Sequence, residues 1–171
     1  MKTLLLLLLA ALALFPQTNA PHIKAALSAY ELGNAAVRNH RVDAALNSFR
    51  KAIQIEPTFM EARRALIETL LSSGNRLEAA AAITRFLEIE PDANRYRVVL
   101  GRILLEQKQP SRALAQFSIL LESEPDNADG LLGFAAAAKQ AGMQSQAVDA
   151  LKRGASRYPA DRRFRQELNS R

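Results

Sequence analysis

Residue types that carry chemistry are scarce in this chain of 171 residues, which has no cysteine and two histidines, His22 and His40. Metal sites and activated nucleophiles need clusters of such residues, and no pair of histidines or carboxylates here has metal-ligand spacing. The sequence also lacks a glycine-rich phosphate loop and a serine on a strand-to-helix elbow. We therefore expect no enzyme, no metal, no cofactor and no small-molecule substrate, and we interpret His40 as a turn residue.

A fixed spacing organises the chain, because prolines and alanines recur every 34 residues. The repeated residues are Pro57, Pro91, Pro125 and Pro159, and Ala45, Ala79, Ala113 and Ala147. At a proline frequency of about 5%, three further prolines at preset positions have a chance probability of roughly one in ten thousand. The sequence therefore predicts a tandem array of one small unit.

Apolar spacing within the unit predicts two helices joined by a short turn. In the first copy the two stripes are Ala29, Leu32, Gly33 and Ala36, then Ala45, Phe49, Ala52 and Ile53. Proline closes each hairpin, because it lacks the N–H that an inner helical turn needs. We expect the alanines that open the second helices, such as Ala79 and Ala113, to be buried where helices cross.

Polar residues next to the prolines predict where the following helices begin. Thr58, Asp92 and Asp126 are candidate N-caps of first helices in the later copies, and Asp161 is a candidate N-cap of a last helix. Each has a side-chain oxygen that can accept a hydrogen bond from an amide of the first helical turn.

Two pairs of residues stand out within the copies. Gly74 and Gly142 fall in the turn between the two helices, where a positive φ is often needed. Arg63 and Arg97 occupy positions of an apolar stripe. We expect these arginines to lay their methylene stems on the core and keep their charges in water.

These residues together resemble the tetratricopeptide repeat (TPR) family. The shared pattern is Leu32-Gly33, Ala45, Phe49 and Pro57, repeated as Leu100-Gly101, Ala113, Phe117 and Pro125. The resemblance covers about residues 24–159 and implies an all-α, right-handed TPR solenoid of four helical hairpins. The implied repeats are about residues 24–57, 58–91, 92–125 and 126–159, followed by a short capping helix over residues 160–171.

The first twenty residues have the pattern of a secretory signal peptide. Met1-Lys2 is followed by an apolar run of twelve residues from Leu4 to Phe15. A bilayer span needs about twenty, and the small residues up to Ala20 fit a cleavage site. We expect removal of residues 1–20 and a periplasmic or secreted protein. Because Pro21 directly after the cut disfavours cleavage, an inner-membrane anchor with an uncleaved signal is the alternative.

Positive charge is concentrated at the C-terminal end. Residues 152–171 carry seven basic and two acidic side chains, whereas basic and acidic residues balance over 21–151. The basic C-terminal patch is Arg153, Arg157, Arg162, Arg163 and Arg165. Such residues complement a helix dipole and keep a terminal repeat soluble. The alternative is a peripheral contact with an acidic partner or an anionic membrane surface. We expect no nucleic acid, since no aromatic residues are interleaved with the charges.

The resemblance to the TPR family also implies a concave groove, lined by one face of each first helix. The groove residues predicted to bind a partner are Tyr30, Asn34, Arg64, Arg95 and Arg102. Asn34 and Arg95 match the family's clamp for an acidic peptide C-terminus. Glu61, Glu68 and Asp129 share the same face, so a mixed-charge groove for an extended or helical segment is favoured.

The function predicted from these features is a protein-interaction scaffold or adaptor of the bacterial cell envelope. A partner protein or peptide would bind in the groove, in the service of secretion, pilus or outer-membrane assembly. The alternative is a periplasmic holdase-like chaperone that shields unfolded clients.

Overall fold

The computed structural model describes residues 19–170 and their side chains from residue 21 onwards. This part of the chain contains nine α-helices and no strand, which confirms the predicted all-α class. The helices are α1 Asn19–Arg38, α2 Val42–Ile55, α3 Met60–Ser72, α4 Arg76–Leu87, α5 Asn94–Glu106, α6 Pro110–Ser123, α7 Ala128–Gln140, α8 Gln144–Arg157 and α9 Arg162–Asn169. They belong to two compact units that divide after Gly74, with α1–α3 in the first and α4–α9 in the second.

The predicted signal peptide lies almost entirely outside the described residues. Its last two residues, Asn19 and Ala20, are the first two residues of α1. None of the helices in residues 19–170 combines the length and the apolar character needed to cross a bilayer.

Each repeated proline is followed by the same tight turn into a helix. The residue two positions after the proline donates its amide to the carbonyl of the residue before the proline, for example from Phe59 to Glu56 at 3.0 Å. The N-caps of α3, α5, α7 and α9 are therefore Phe59, Ala93, Asn127 and Asp161.

The predicted caps are wrong in three of the four cases. Thr58, Asp92 and Asp126 stand one residue too early, because the turn after the proline uses one more residue before the helix begins. Asp161 caps α9 as predicted, and its carboxylate accepts a hydrogen bond of 3.0 Å from the Arg163 amide. Asn127 caps α7 in the same way, through the Gly130 amide at 2.8 Å.

The turn inside each hairpin has one residue in the left-handed region. Gly74 and Gly142 have φ values of 77° and 78°, which confirms the prediction for these glycines. His40 and Lys108 occupy the same position of the other two copies, with φ values of 54° and 57°. A side chain with a Cβ is strained in this region, so two of the four turns carry a conformational cost.

Phenylalanine rings packed on glycine fill the core of both units. In the first unit Phe49 is fully buried against Gly33, where a Cβ would overlap its ring. In the second unit the buried Phe117 ring lies against both Gly101 and Gly133. The repeated alanines are also fully buried, including Ala79 and Ala113 as predicted.

Residue size is matched wherever a second helix meets the next first helix. The facing residues at the four junctions are Ala52 with Ala62, Phe86 with Tyr96, Leu120 with Gly130, and Gly154 with Phe164. The Phe86 and Tyr96 rings lie 5.0 Å apart, whereas the Phe164 ring occupies the space that a Cβ on Gly154 would need. Each junction therefore reaches a dense packing with a different pair of residues.

Arg63 and Arg97, the two arginines of the apolar stripe, form hydrogen bonds with backbone carbonyls. Arg63 donates to the Pro57 carbonyl at 2.8 Å, and Arg97 donates to the Pro91 carbonyl at 2.6 Å. The expectation for Arg97 is wrong, since it is 8% exposed and its Nε is buried without a hydrogen-bond partner. The carbonyl of the repeat proline supplies the acceptor that allows this guanidinium to leave the solvent.

Candidate functional site

The inner face of α1 is the most apolar exposed surface of the first unit. Ile23, Leu27 and Val37 are 54%, 44% and 45% exposed and lie on the same side of the helix as Tyr30 and Asn34. We call these five residues the inner face of α1. Tyr30 and Asn34 were predicted to bind a partner, and the spacing of four residues between Ile23 and Leu27 was the available signal for the apolar part of this face.

Tyr30 supports the fold as well as lining this face. Its ring lies 5.1 Å from Phe59 and 5.8 Å from Phe49, measured between ring centroids. The side chain is half-buried, as is that of Asn34 one turn later. Removing Tyr30 would therefore lower stability, so it is a poor position for testing binding alone.

The predicted groove arginine of the first unit lies on α3. Arg64 is exposed, and Glu61 and Glu68 lie on the same side of that helix. Arg64 and Glu68 both interact with other residues in the structure. The first unit thus presents an apolar helix face, on α1, and a helix face of mixed charge, on α3.

The other two predicted groove arginines lie on α5 in the second unit, seven residues apart. The Arg95 guanidinium lies 4.7 Å from the centroid of the Tyr96 ring, a cation–π contact. Arg102 forms a 3.1 Å ion pair with Asp129 of α7. Both arginines are therefore held by neighbouring side chains of their own unit.

The basic C-terminal patch is largely paired with acidic residues. Arg153 and Arg157 both contact Asp126, at 3.0 and 3.4 Å. Arg163 forms ion pairs with Asp129 at 3.0 Å and with Asp161 at 2.7 Å. These contacts join α8 and α9 to the start of α7, so three of the five patch arginines are held by acidic residues of their own unit.

The remaining two patch residues differ from each other. Arg165 donates to the Pro159 carbonyl, as Arg63 and Arg97 do to their prolines. Arg162 is exposed and forms no ion pair within the described residues. The bond from arginine to proline carbonyl recurs in three copies at the same spacing of six residues, and sequence reasoning missed it although the spacing was visible.

Hydrogen bonds hold the pKa values of several carboxyls below their ordinary range. Bonds from Arg163, through its side chain and then its amide, lower the pKa of Asp161. Side-chain bonds from Asn94 and Asn127 lower the pKa of Glu124. These groups are charged at neutral pH and act as structural acceptors.

No catalytic arrangement is found among the described residues. His22 lies 3.7 Å from Glu56 on the protein surface, and His40 is an exposed turn residue. Residues 19–170 contain no group of three histidine or acidic side chains that could hold a metal ion.

Comparison with known proteins agrees with this architecture. A model of the tetratricopeptide repeat family matches residues 8–161. No curated protein matches the chain significantly.

Several solved structures share the fold. A crystal structure of the MamA protein has a TM-score of 0.74 at 16% identity, covering 85% of this chain and 79% of that chain. MamA 41-end from Desulfovibrio magneticus RS-1 has a TM-score of 0.71 at 17% identity, with 84% and 81% covered. YrrB, described as a TPR protein with an unusual peptide-binding site, has a TM-score of 0.69 at 20% identity, with 83% and 73% covered.

Proposed function

Because the chain belongs to the tetratricopeptide repeat family, a family of protein-interaction scaffolds, we propose that it is an adaptor of the bacterial cell envelope that binds a partner segment. The observation that carries this proposal is the inner face of α1, where three large apolar side chains are exposed together. Exposed apolar clusters of this kind mark interaction sites more often than isolated surface residues do. YrrB, which shares the fold, is described as having a peptide-binding site.

The partner segment would be extended or helical, with apolar residues facing α1 and charged residues facing α3. Its apolar side chains would contact Leu27 and Val37, and its charges would meet Glu61, Arg64 and Glu68. Apolar contacts supply affinity, and the charged helix selects the orientation of the segment. An acidic C-terminal peptide fits this surface less well, because two of the three charges on this face of α3, Glu61 and Glu68, are negative.

The binding test uses Leu27→Asp, with Leu77→Asp as the matched control. Leu77 is 76% exposed on α4, so both substitutions place a carboxylate at a solvent-accessible leucine. We expect the parent chain and the control to capture the same partner from envelope extract, and Leu27→Asp to lose it while keeping its melting temperature. Retention of the partner by Leu27→Asp would show that the inner face of α1 is not the site.

The runner-up function is a holdase-like chaperone, which the same exposed apolar residues favour. The two functions differ in selectivity, since a scaffold binds one folded partner at fixed stoichiometry. A chaperone suppresses aggregation of unrelated clients in proportion to its concentration. Light scattering of two unrelated heat-denatured enzymes, with and without the chain, distinguishes the two functions. A chaperone lowers the scattering of both enzymes, and a scaffold lowers neither.

Location in the cell envelope rests on the apolar segment Leu4–Phe15. A fusion of residues 1–25 to a reporter that is active only in the periplasm should be active. N-terminal sequencing of the exported chain should begin after Leu4–Phe15. A membrane-bound product that retains the segment would favour the anchored form.

The basic C-terminal patch has a structural role in this proposal. Its ion pair with Asp129 fastens α9 to the fourth repeat, and its ion pairs with Asp126 lie within that repeat. This pairing favours the structural interpretation over contact with an acidic partner or an anionic membrane surface.

A further inference from the structure

One position that is buried in every later repeat, and a second that is at least partly buried there, are exposed in α1. The residues equivalent to Ser28 in the 34-residue spacing are Ala62, Tyr96, Gly130 and Phe164, all of them buried. Among the residues equivalent to Leu32, Leu66 packs on the Phe49 cluster and Leu100 is 3% exposed. Ser28 is exposed, and Leu32 is 63% exposed.

The repeat architecture explains the difference. In the later repeats the second helix of the preceding repeat covers these positions, as α2 covers Ala62 through Ala52. No described helix precedes α1. Ala25, Ser28 and Leu32 therefore form a surface, which we call the outer face of α1, that has the composition of a helix-packing surface and that no described helix covers. It lies on the opposite side of α1 from Ile23 and Leu27, so it is separate from the proposed partner site.

We propose that a second copy of this chain covers the outer face, with the two α1 helices antiparallel. A two-fold axis near Ser28 brings each Leu32 against Ala25 of the other copy. The small side chains at the centre allow the helices to approach closely, while Leu32 fills the space on either side.

Charges on the edge of the outer face complement each other in this arrangement. Lys24 lies four residues before Ser28 and Glu31 lies three residues after it, on the same flank of the helix. Both are exposed, and neither forms an ion pair within the described residues. Antiparallel packing places Lys24 of one copy beside Glu31 of the other, twice, whereas a parallel two-fold pair would turn this charged flank toward the Ala25 and Leu32 flank of the other copy.

The first experiment measures the mass of the chain in solution. The chain is expressed from its own Met1, its N-terminus is determined by mass spectrometry, and light scattering follows its mass from about 1 to 200 µM. We expect a monomer–dimer equilibrium that Leu32→Lys shifts to monomer. Leu77→Lys is the matched control and should leave the equilibrium unchanged, since Leu77 is exposed on α4.

A charge exchange tests the orientation. Lys24→Glu and Glu31→Lys should each weaken the dimer about fivefold to tenfold, because each opposes like charges at two symmetric contacts. The double variant Lys24→Glu/Glu31→Lys restores both pairs and should dimerise like the parent. Circular dichroism of each variant confirms that α1 remains folded.

Cross-linking gives a third, independent readout, because the chain has no cysteine of its own. Ser28→Cys should form an intermolecular disulfide on mild oxidation, and Ser145→Cys, exposed on α8, should not. A parent that is monomeric at about 200 µM overturns the proposal, and another segment or partner then covers the face. A dimer that persists in Leu32→Lys, or a double charge variant that fails to recover, overturns it as well.

Discussion

Exchanging the residues at one junction for those of another is the sharpest test of how the repeats pack. At the last junction Gly154 faces Phe164, and at the preceding junction Leu120 faces Gly130. The double variant Gly154→Leu/Phe164→Gly would convert the last junction into a copy of the preceding one. We expect each single change to be damaging and the double change to be tolerated.

The magnitudes follow from the contacts. Phe164 is fully buried, so Phe164→Gly should cost about 3–5 kcal/mol for the lost ring and about 1 kcal/mol for glycine in a helix. In Gly154→Leu a side chain is forced into the Phe164 ring, and α9 must detach at a cost of about 3–5 kcal/mol. In the double variant one glycine moves from α8 to α9, so we expect stability within about 1 kcal/mol of the parent.

The assay must report on α9 itself, because repeat arrays can unfold in parts. Hydrogen exchange of the α9 amides gives the free energy of local opening, and urea unfolding followed by circular dichroism gives the global value. Ser156→Leu, at an exposed position of α8, controls for adding a leucine to that helix. If the losses in free energy of unfolding from the two single variants add up in the double variant, the size-matching argument is refuted.

Five further substitutions test the turns, the buried arginine, the paired carboxyl and the core. His40→Gly should raise the free energy of unfolding in urea by up to about 1 kcal/mol, since φ is 54° there, and Gly74→Ala should lower it by a similar amount. Arg97→Leu should leave the melting temperature unchanged or raise it, because it removes a buried Nε without a partner; a large decrease would contradict this reasoning. The lowered pKa of Asp161 means that its stabilisation is present above its ordinary value of 3.8 and is lost as the pH falls through the lower folded value. The melting temperature of Asp161→Asn should therefore fall less than that of the parent between about pH 5 and pH 2. Ala113→Arg should cost several kcal/mol in urea unfolding, on the order of 3–5, because Ala113 is fully buried.

The fold could be predicted from the sequence because its signals repeat. The proline and alanine spacing predicted the helical class and the burial of Ala79 and Ala113, and both are confirmed. A single copy of the repeat would not have been enough to predict where the helices begin and end, because apolar spacing alone places helix ends only to within a few residues.

Details that depend on backbone geometry could not be predicted. The one-residue error at Thr58 and its equivalents arose because the proline turn sets the N-cap position, whatever side chain is available there. The left-handed backbone of His40 was not predicted, although His40 stands 34 residues before Gly74 and that spacing was the available signal. Arg97 was misjudged because its acceptor, the Pro91 carbonyl, belongs to the backbone.

The proposed binding surface was only partly predictable. Helical periodicity places Leu27, Tyr30 and Asn34 on one face of α1. The engagement of Arg102 and Arg163 by Asp129 depends on tertiary contacts between helices distant in sequence. Net charge therefore overstated how much of the C-terminal patch is available to a partner.

The unequal residue pairs at the junctions bear on how the chain avoids misassembly. Hairpins built on the same spacing could in principle dock in the wrong order, or exchange between two chains during folding. A hairpin docked at the wrong junction would, for example, leave Gly154 facing Gly130, with an empty space where the Phe164 ring lies in the native order. Such mismatches raise the free energy of misordered stacks relative to the native one. The divergence of the repeats from one another thus favours a single order of assembly, which an array of identical repeats would lack.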